Sequence, residues 1–465
     1  MTTISNDDAD ESSGRPKKKQ KTSNQAPQAS NIIKLTVSVD QGHIVTVTDD
    51  KIVRVFGVQT GGQLNELSQR CMPKRPCAIQ ISQDNTTIIC GDKFGDVYSL
   101  PLLPEESPAT AQQANTGVAE IETSKKEKDA TFKPSATNLT VHTQRNRRAL
   151  ASQLAQKDFS IKKEPLKFEH KLQLGHVSML TDVLCATRDV EDKRRSYIIT
   201  ADRDEHIRIS RGLPQSHIIE GYCLGHTEFV SKLCLIPGTD LLVSGGGDDD
   251  IYVWDWPTGK LLHKHGLVGA MAHLLPMTDS VMTDDPSLQT ATPVVDKVER
   301  KVAVSGLCTA PFTNARGQQE TALLVTCERL PAIFVIPVDR LQSAYVPNLI
   351  ALDNPPLDVT CIGGKVLITL DGRKDGERRL LAKEIVQDHD DVQGNLSFKP
   401  DEAMETKLEC LINSTKSVHS DNQALEDLLY NVANLRKRRG WATPGDDAEG
   451  DDEPNGAEGD SHSKE

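Results

Sequence analysis

The chain has 465 residues, of which 37% are hydrophobic, 26% charged and 4% aromatic, enough for a folded body with polar appendages and too long for a mini-protein held by staples. The formal net charge of −13 argues against a surface that coats nucleic acid throughout, because such binding needs neutralising Lys and Arg. The excess acid is uneven: nine acidic residues from Asp446 to Glu465 face the single Lys464, giving −8 in the tail and leaving the body only mildly acidic.

In chain order, residues 1–30 form a polar Ser/Asn/Asp-rich head that is expected to be disordered. Within it, Pro16 to Lys21 (PKKKQK) reads as a nuclear-import signal, which predicts location in the nucleus; the competing reading is a cluster that only solubilises the terminus. No signal-peptide core and no run near 18 apolar residues occurs, so a soluble intracellular protein with no membrane partner is expected. The ten cysteines are scattered without a Cys-x-x-Cys pair, and many stand in apolar strand-like runs where a thiol packs as a small hydrophobe.

From Asn31 onward a strand, turn, strand pattern recurs: HIVTVTDDKIVRVFG from His43, TTIICGDKFGDVYSL from Thr86, YIITADRDEHIRIS from Tyr197 and LLVSGGGDDDIYVWDW from Leu241. Each predicts a β-hairpin. With Val53, Val97, Ile207 and Ile251 set as equivalent, the steps are 44, 110 and 44 residues, and 44 is the length of a WD-type propeller blade. The 110-residue step predicts a blade plus a polar, Ala/Gln/Thr/Lys-rich disordered insertion over 101–165, with a basic helix around Arg145 to Gln156. Two more hairpin-like units begin at Ala322 and Asp358, so about six are marked by the residues themselves. The fold class is all-β, a WD-repeat β-propeller over 31–440 that closes into a ring and so avoids open edges.

The blade from Gly225 to Asp255 is the most informative. His226, Ser244, Asp248 and Trp254 have the types and spacing of a polar chain across one blade, predicting a structural network rather than a catalytic one. The preceding blade keeps His176, Thr200 and Asp204 but has Ser210 where Trp would stand. Asp248, Asp249 and Asp250 are consecutive turn residues without a matching set of metal ligands. By strand alternation Ile207 and Ile209 face one way while His206 and Arg208 face the other, which predicts a guanidinium presented from the blade for a carboxylate partner.

The strings ADRDEHIRIS, YCLGHTEFVSKL and LVSGGGDDDIYVWDW resemble the non-catalytic WD-repeat subunit of the eukaryotic tRNA (guanine-N7)-methyltransferase, in its fungal form. The resemblance is specific across Tyr197 to Trp256 and looser over the rest of the body. It implies seven blades, a heterodimer with a separate catalytic subunit that binds S-adenosylmethionine, methylation of a guanine in the variable loop of tRNA, and contact with tRNA through the complex. It further implies that Arg208, with Arg203 and His206 as weaker neighbours, meets an acidic group of the partner; many family members have Lys at the His206 position. No catalytic, cofactor or metal residue is assigned to this chain, since no Gly-rich strand-to-helix turn is present, and Gly61-Gly62 and Gly363-Gly364 sit in hairpin or loop contexts. A general WD adaptor for a nuclear complex, without an RNA role, is the alternative.

Toward the C-terminus, residues 420–439 predict an amphipathic helix with Ser420 and Gln423 as a capping box and Leu425, Leu428, Leu429, Val432 and Leu435 along one stripe. Its last turn would hold Arg436, Lys437, Arg438 and Arg439, which complement a helix C-terminus or meet tRNA phosphate. Residues 441–465 are an acidic tail expected to be disordered.

Overall fold

A computed structural model describes residues 30–103, 147, 168–191, 193–271, 301–373, 377–387, 395–414 and 422–437. The polar head, the acidic tail, Arg438, Arg439, Ser420 and nearly all of the insertion lie outside the described residues.

Each predicted hairpin belongs to a four-stranded antiparallel sheet whose strands follow one another in sequence. Blade 1 spans 32–71, blade 2 spans 76–101 and 171–175, blade 3 spans 180–223 and blade 4 spans 230–266. Blades 5 (304–351) and 6 (356–400) have the same build and are joined by one parallel bridge, Thr313 to Val386, into an eight-stranded sheet. Six blades are thus present among the described residues, against seven implied by the resemblance. The insertion leaves blade 2 after its third strand and returns at its fourth, so the 110-residue step is one blade lengthened at its rim.

The blades pack face to face, and the packing explains why both alternate sets of a strand hold apolar residues here. Leu241, Val243, Ile251 and Val253 of blade 4 are buried against Val304, Leu323, Val325 and Phe334 of blade 5. Their alternate neighbours Leu242, Tyr252 and Trp254 are buried against Ile199, Ile207 and Ile209 of blade 3. A strand covered on both faces can be apolar on both, and each fully buried aliphatic side chain contributes about 1.5–3 kcal/mol. Five such cores join the six blades in succession. None joins blade 6 to blade 1 among the described residues, and there Leu35 and Val37 stay 57% and 45% exposed.

The first strands of successive blades lie side by side around the centre. Lys34 on the first strand of blade 1 is half-buried there, and Lys232 of blade 4, followed by burial, pulls its pKa down to about 8. Gly363 and Gly364 take φ of 58° and 79° between two strands of blade 6, a two-residue connection with both φ positive.

Candidate partner-binding site

The polar chain of blade 4 comes together as a linear relay. Trp254 Nε1–H donates to Ser244 Oγ at 2.8 Å, Ser244 Oγ lies 2.7 Å from His226 Nε2, and His226 Nδ1 lies 2.7 Å from Asp248. One consistent set of protons satisfies it: Trp to Ser, Ser to a neutral imidazole, and imidazole Nδ1–H to carboxylate. Asp248 also accepts the Thr227 N–H at 3.1 Å. Burial alone would raise the Asp248 pKa, but hydrogen bonds from His226 and Thr227 outweigh it and hold the carboxyl below its usual range. With His226 6% and Ser244 0% exposed, no substrate can reach the Ser–His pair, so this constellation of types associated with nucleophilic catalysis ties the loop before blade 4 to its second hairpin.

Blade 3 repeats the arrangement with one change. His176 Nδ1 meets Asp202, not Asp204, at 3.0 Å, and Nε2 meets Thr200 Oγ1 at 2.8 Å. The expected Asp204 is displaced because Asp202 sits two residues earlier, where blade 4 has Gly246, and its Oδ1 accepts the N–H groups of Asp204 and His206 at 2.9 and 3.1 Å. Ser210, at the Trp position, is fully buried and its hydroxyl has no hydrogen-bond partner among the described residues.

The exposed setting expected for Arg208 is corrected by the structure. Arg208 is 8% exposed, and its guanidinium donates to the Gly175 carbonyl of blade 2 at 3.0 Å. Alternation placed it opposite Ile207 and Ile209 correctly, but that face is covered by the neighbouring blade rather than by solvent. Burial lowers its pKa from the ordinary guanidinium value. The exposed part of this site is the turn above it. His206 has a side chain 52% exposed with Nδ1 3.5 Å from Asp202, and Glu205 takes a φ of 74°. Arg203 is half-buried and its Nε donates to the Leu435 carbonyl at 2.8 Å.

That last contact belongs to a C-terminal strap that the sequence did not reveal. The helix ends at Leu429, not Arg439. Beyond it Tyr430 hydroxyl bonds Asp371, the Arg329 guanidinium lies 4.3 Å from the Tyr430 ring, and Glu328 accepts the Val432 and Ala433 N–H groups, each at 2.8 Å. The segment then reaches blades 4 and 3. Arg436 bonds the Val302 carbonyl and lies 3.3 Å from Glu228, while Lys437 lies 3.3 Å from Asp204 and 3.0 Å from Glu205. Glu328 supplies to the backbone what a continuing helix would have supplied, so Val432 and Leu435 leave the predicted stripe. Arg436 and Lys437 accordingly sit beyond a helix end and pair with propeller carboxylates rather than standing free for phosphate.

A cavity of about 500 Å³ between blades 2 and 3 is lined by Gln83, Cys185, Arg194, Tyr197 and Leu213 among others. Burial pushes the Cys185 thiol up to about 12, so it offers no thiolate at neutral pH.

Comparison with known proteins adds the biological setting. The family described as the tRNA methyltransferase TRM82 WD40 domain matches residues 3–392. The chain is 40% identical over 452 residues to the tRNA (guanine-N(7)-)-methyltransferase non-catalytic subunit TRM82 of Coccidioides immitis, an alignment covering 92% of this chain and 81% of the relative. It is 40% identical over 452 residues to the subunit of the same name from Phaeosphaeria nodorum, covering 93% and 88% of the two chains. With the trm82 subunit of Sclerotinia sclerotiorum the identity is 42% over 353 residues, covering 74% and 62%.

Proposed function

The chain belongs to the tRNA methyltransferase TRM82 WD40 family, and from that membership we propose how it serves a tRNA (guanine-N7)-methyltransferase. It is the non-catalytic subunit of that enzyme, a scaffold for a catalytic partner, and needs no cofactor of its own. The two subunits form a heterodimer in which the partner holds S-adenosylmethionine and carries out the transfer to guanine N7 in the tRNA variable loop. Pro16 to Lys21 direct the protein to the nucleus.

The observation that carries the partner-binding part is the fixed turn over blade 3. Asp202 clamps it from within, Arg208 braces the strand below against Gly175, and the strap holds Arg203 from above. A turn held from three sides has little freedom to lose on association, so Arg203 and His206 are pre-organised toward a carboxylate of the partner. Arg208 acts as a positioning residue beneath them. The paired double variant R203E/H206E tests this: in gel filtration and calorimetry with the catalytic subunit it should weaken association at least 10-fold while the free chain stays folded, its melt lowered only by the loss of the Arg203 bond to the Leu435 carbonyl and of the His206 contact with Asp202. Association equal to wild type removes this turn from the interface.

A further inference from the structure

Blade 2 carries a surface that partner binding through blade 3 leaves unused. Its second hairpin turns through Asp92, Lys93, Phe94 and Gly95. Gly95 has a φ of 92°, and a Cβ added there would lie 2.5 Å from the carbonyl oxygens of both His176 and Ser178, so the turn is seated tightly on the loop leading to blade 3. Asp92, 1% exposed beneath it, accepts the Phe94 N–H at 2.7 Å and the Asp96 N–H at 3.2 Å. A turn fixed in this way holds an apolar ring in water: Phe94 is 51% exposed.

Two ammonium groups lie against the ring. Lys74 Nζ lies 3.6 Å and Lys93 Nζ 5.1 Å from its centroid, and exposed Arg75 is joined to Lys93 by a backbone hydrogen bond of 3.2 Å. Val177, fully exposed, follows His176, whose N–H bonds the Gly95 carbonyl at 2.8 Å. Among the described residues no carboxylate forms an ion pair with Lys74, Arg75 or Lys93, in contrast to Arg436 and Lys437 of the strap. An acidic protein surface would satisfy the three cations and leave the ring in water, whereas an unpaired nucleotide satisfies both, its base on the ring and its phosphates on the cations.

We propose that Phe94, with Lys74, Arg75 and Lys93, is a contact site for an unpaired stretch of the RNA substrate. The proposal rests on the reading of this chain as part of a tRNA-methylating complex, and it places an RNA contact on this subunit itself. The overall acidity of the chain does not oppose it, because the charge that matters is local.

The test uses the full-length chain assembled with its catalytic subunit, comparing wild type, Phe94→Ala and the double variant K74Q/K93Q for tRNA affinity across a salt series. Phe94→Ala should raise the tRNA Kd roughly 5- to 150-fold, the loss of one stacked base. The double variant should reduce the slope of log affinity against log salt by about 0.7 per lysine, or about 1.4 in all. Assembly and melting temperature should stay as in wild type. Unchanged tRNA affinity and slope would overturn the site, and so would loss of assembly, which would make the patch a contact with the other subunit. If the wild-type complex itself fails to form or to bind tRNA, the functional reading fails and the isolated chain with an unstructured oligouridylate decides the patch: Phe94-sensitive binding supports it, and no binding overturns it.

Discussion

Replacing His226 with Ala should be among the most damaging single changes in the propeller. The imidazole is 6% exposed and holds two short contacts, 2.7 Å to the Asp248 carboxylate and 2.7 Å to Ser244. It also stacks at 3.9 Å between ring centroids on Tyr252. A hydrogen bond to a charged group contributes about 1.5–3 kcal/mol and a neutral one about 0.5–1.5 kcal/mol, and the substitution leaves Ser244 and Asp248 short of partners in a buried setting. The combined loss should be about 3–5 kcal/mol, a large fraction of the roughly 5–15 kcal/mol that separates folded from unfolded protein. Urea unfolding followed by tryptophan fluorescence measures it directly, since Trp254 ends the chain at Ser244 and is fully buried. Ser244→Ala, which interrupts the chain one step further along, should cost less than His226→Ala. A loss below about 1 kcal/mol for His226→Ala would refute the claim that this network holds blade 4 together.

Three further outcomes follow from the same geometry. Glu328→Ala removes the carboxylate that accepts the Val432 and Ala433 N–H groups, so amide hydrogen exchange over 430–437 should speed up at least 10-fold while the blades keep their protection; unchanged exchange would mean that the strap is held elsewhere. Arg208→Glu places an unpaired carboxylate in a site 8% exposed and should lower stability by about 3–5 kcal/mol, so any loss of partner binding should come with a lower melting temperature; loss of binding with an unchanged melt would show that the guanidinium faces outward. Because the folded pKa of Asp248 lies below its unfolded value, its stabilisation is complete above the ordinary carboxylate range near pH 4 and is lost as pH falls through the folded value. Asp248→Asn should therefore lower stability at pH 7 and flatten the acid limb below pH 4, and an acid limb parallel to wild type would contradict that assignment.

The hairpins were legible because each joins alternating apolar residues to a Gly or Asp turn, a purely local signal. The relay of blade 4 was legible for the same reason, its four residues standing at the repeat's own spacing. Blade 3 shows the limit: Thr200 and Ser244 align, and so do Asp204 and Asp248, yet Asp202 takes the imidazole because a carboxylate two residues nearer reaches it first. Arg208 was assigned the correct face and the wrong environment, since alternation within one blade says nothing about which blade covers it. The predicted long helix stops where tertiary contacts replace its own hydrogen bonds, at Val432 and Ala433. Its apolar stripe continues in the sequence because Leu435 and Val432 still follow the propeller surface as a strap. Phe94 is not legible as a site in the GDKFGD turn, because a single aromatic there reads as part of the hairpin and only its exposure in the fold sets it apart.

The central claim is that this chain supports a methyltransferase activity it does not itself possess, and reconstitution tests that most directly. Methyl transfer from S-adenosylmethionine to guanine N7 of tRNA should be measured with this chain alone, with the catalytic subunit alone and with both together. The account predicts no transfer by this chain, weak or short-lived transfer by the catalytic subunit, and a sustained increase of at least 10-fold when the two are combined. Equal activity and equal lifetime of the catalytic subunit with and without this chain would contradict it.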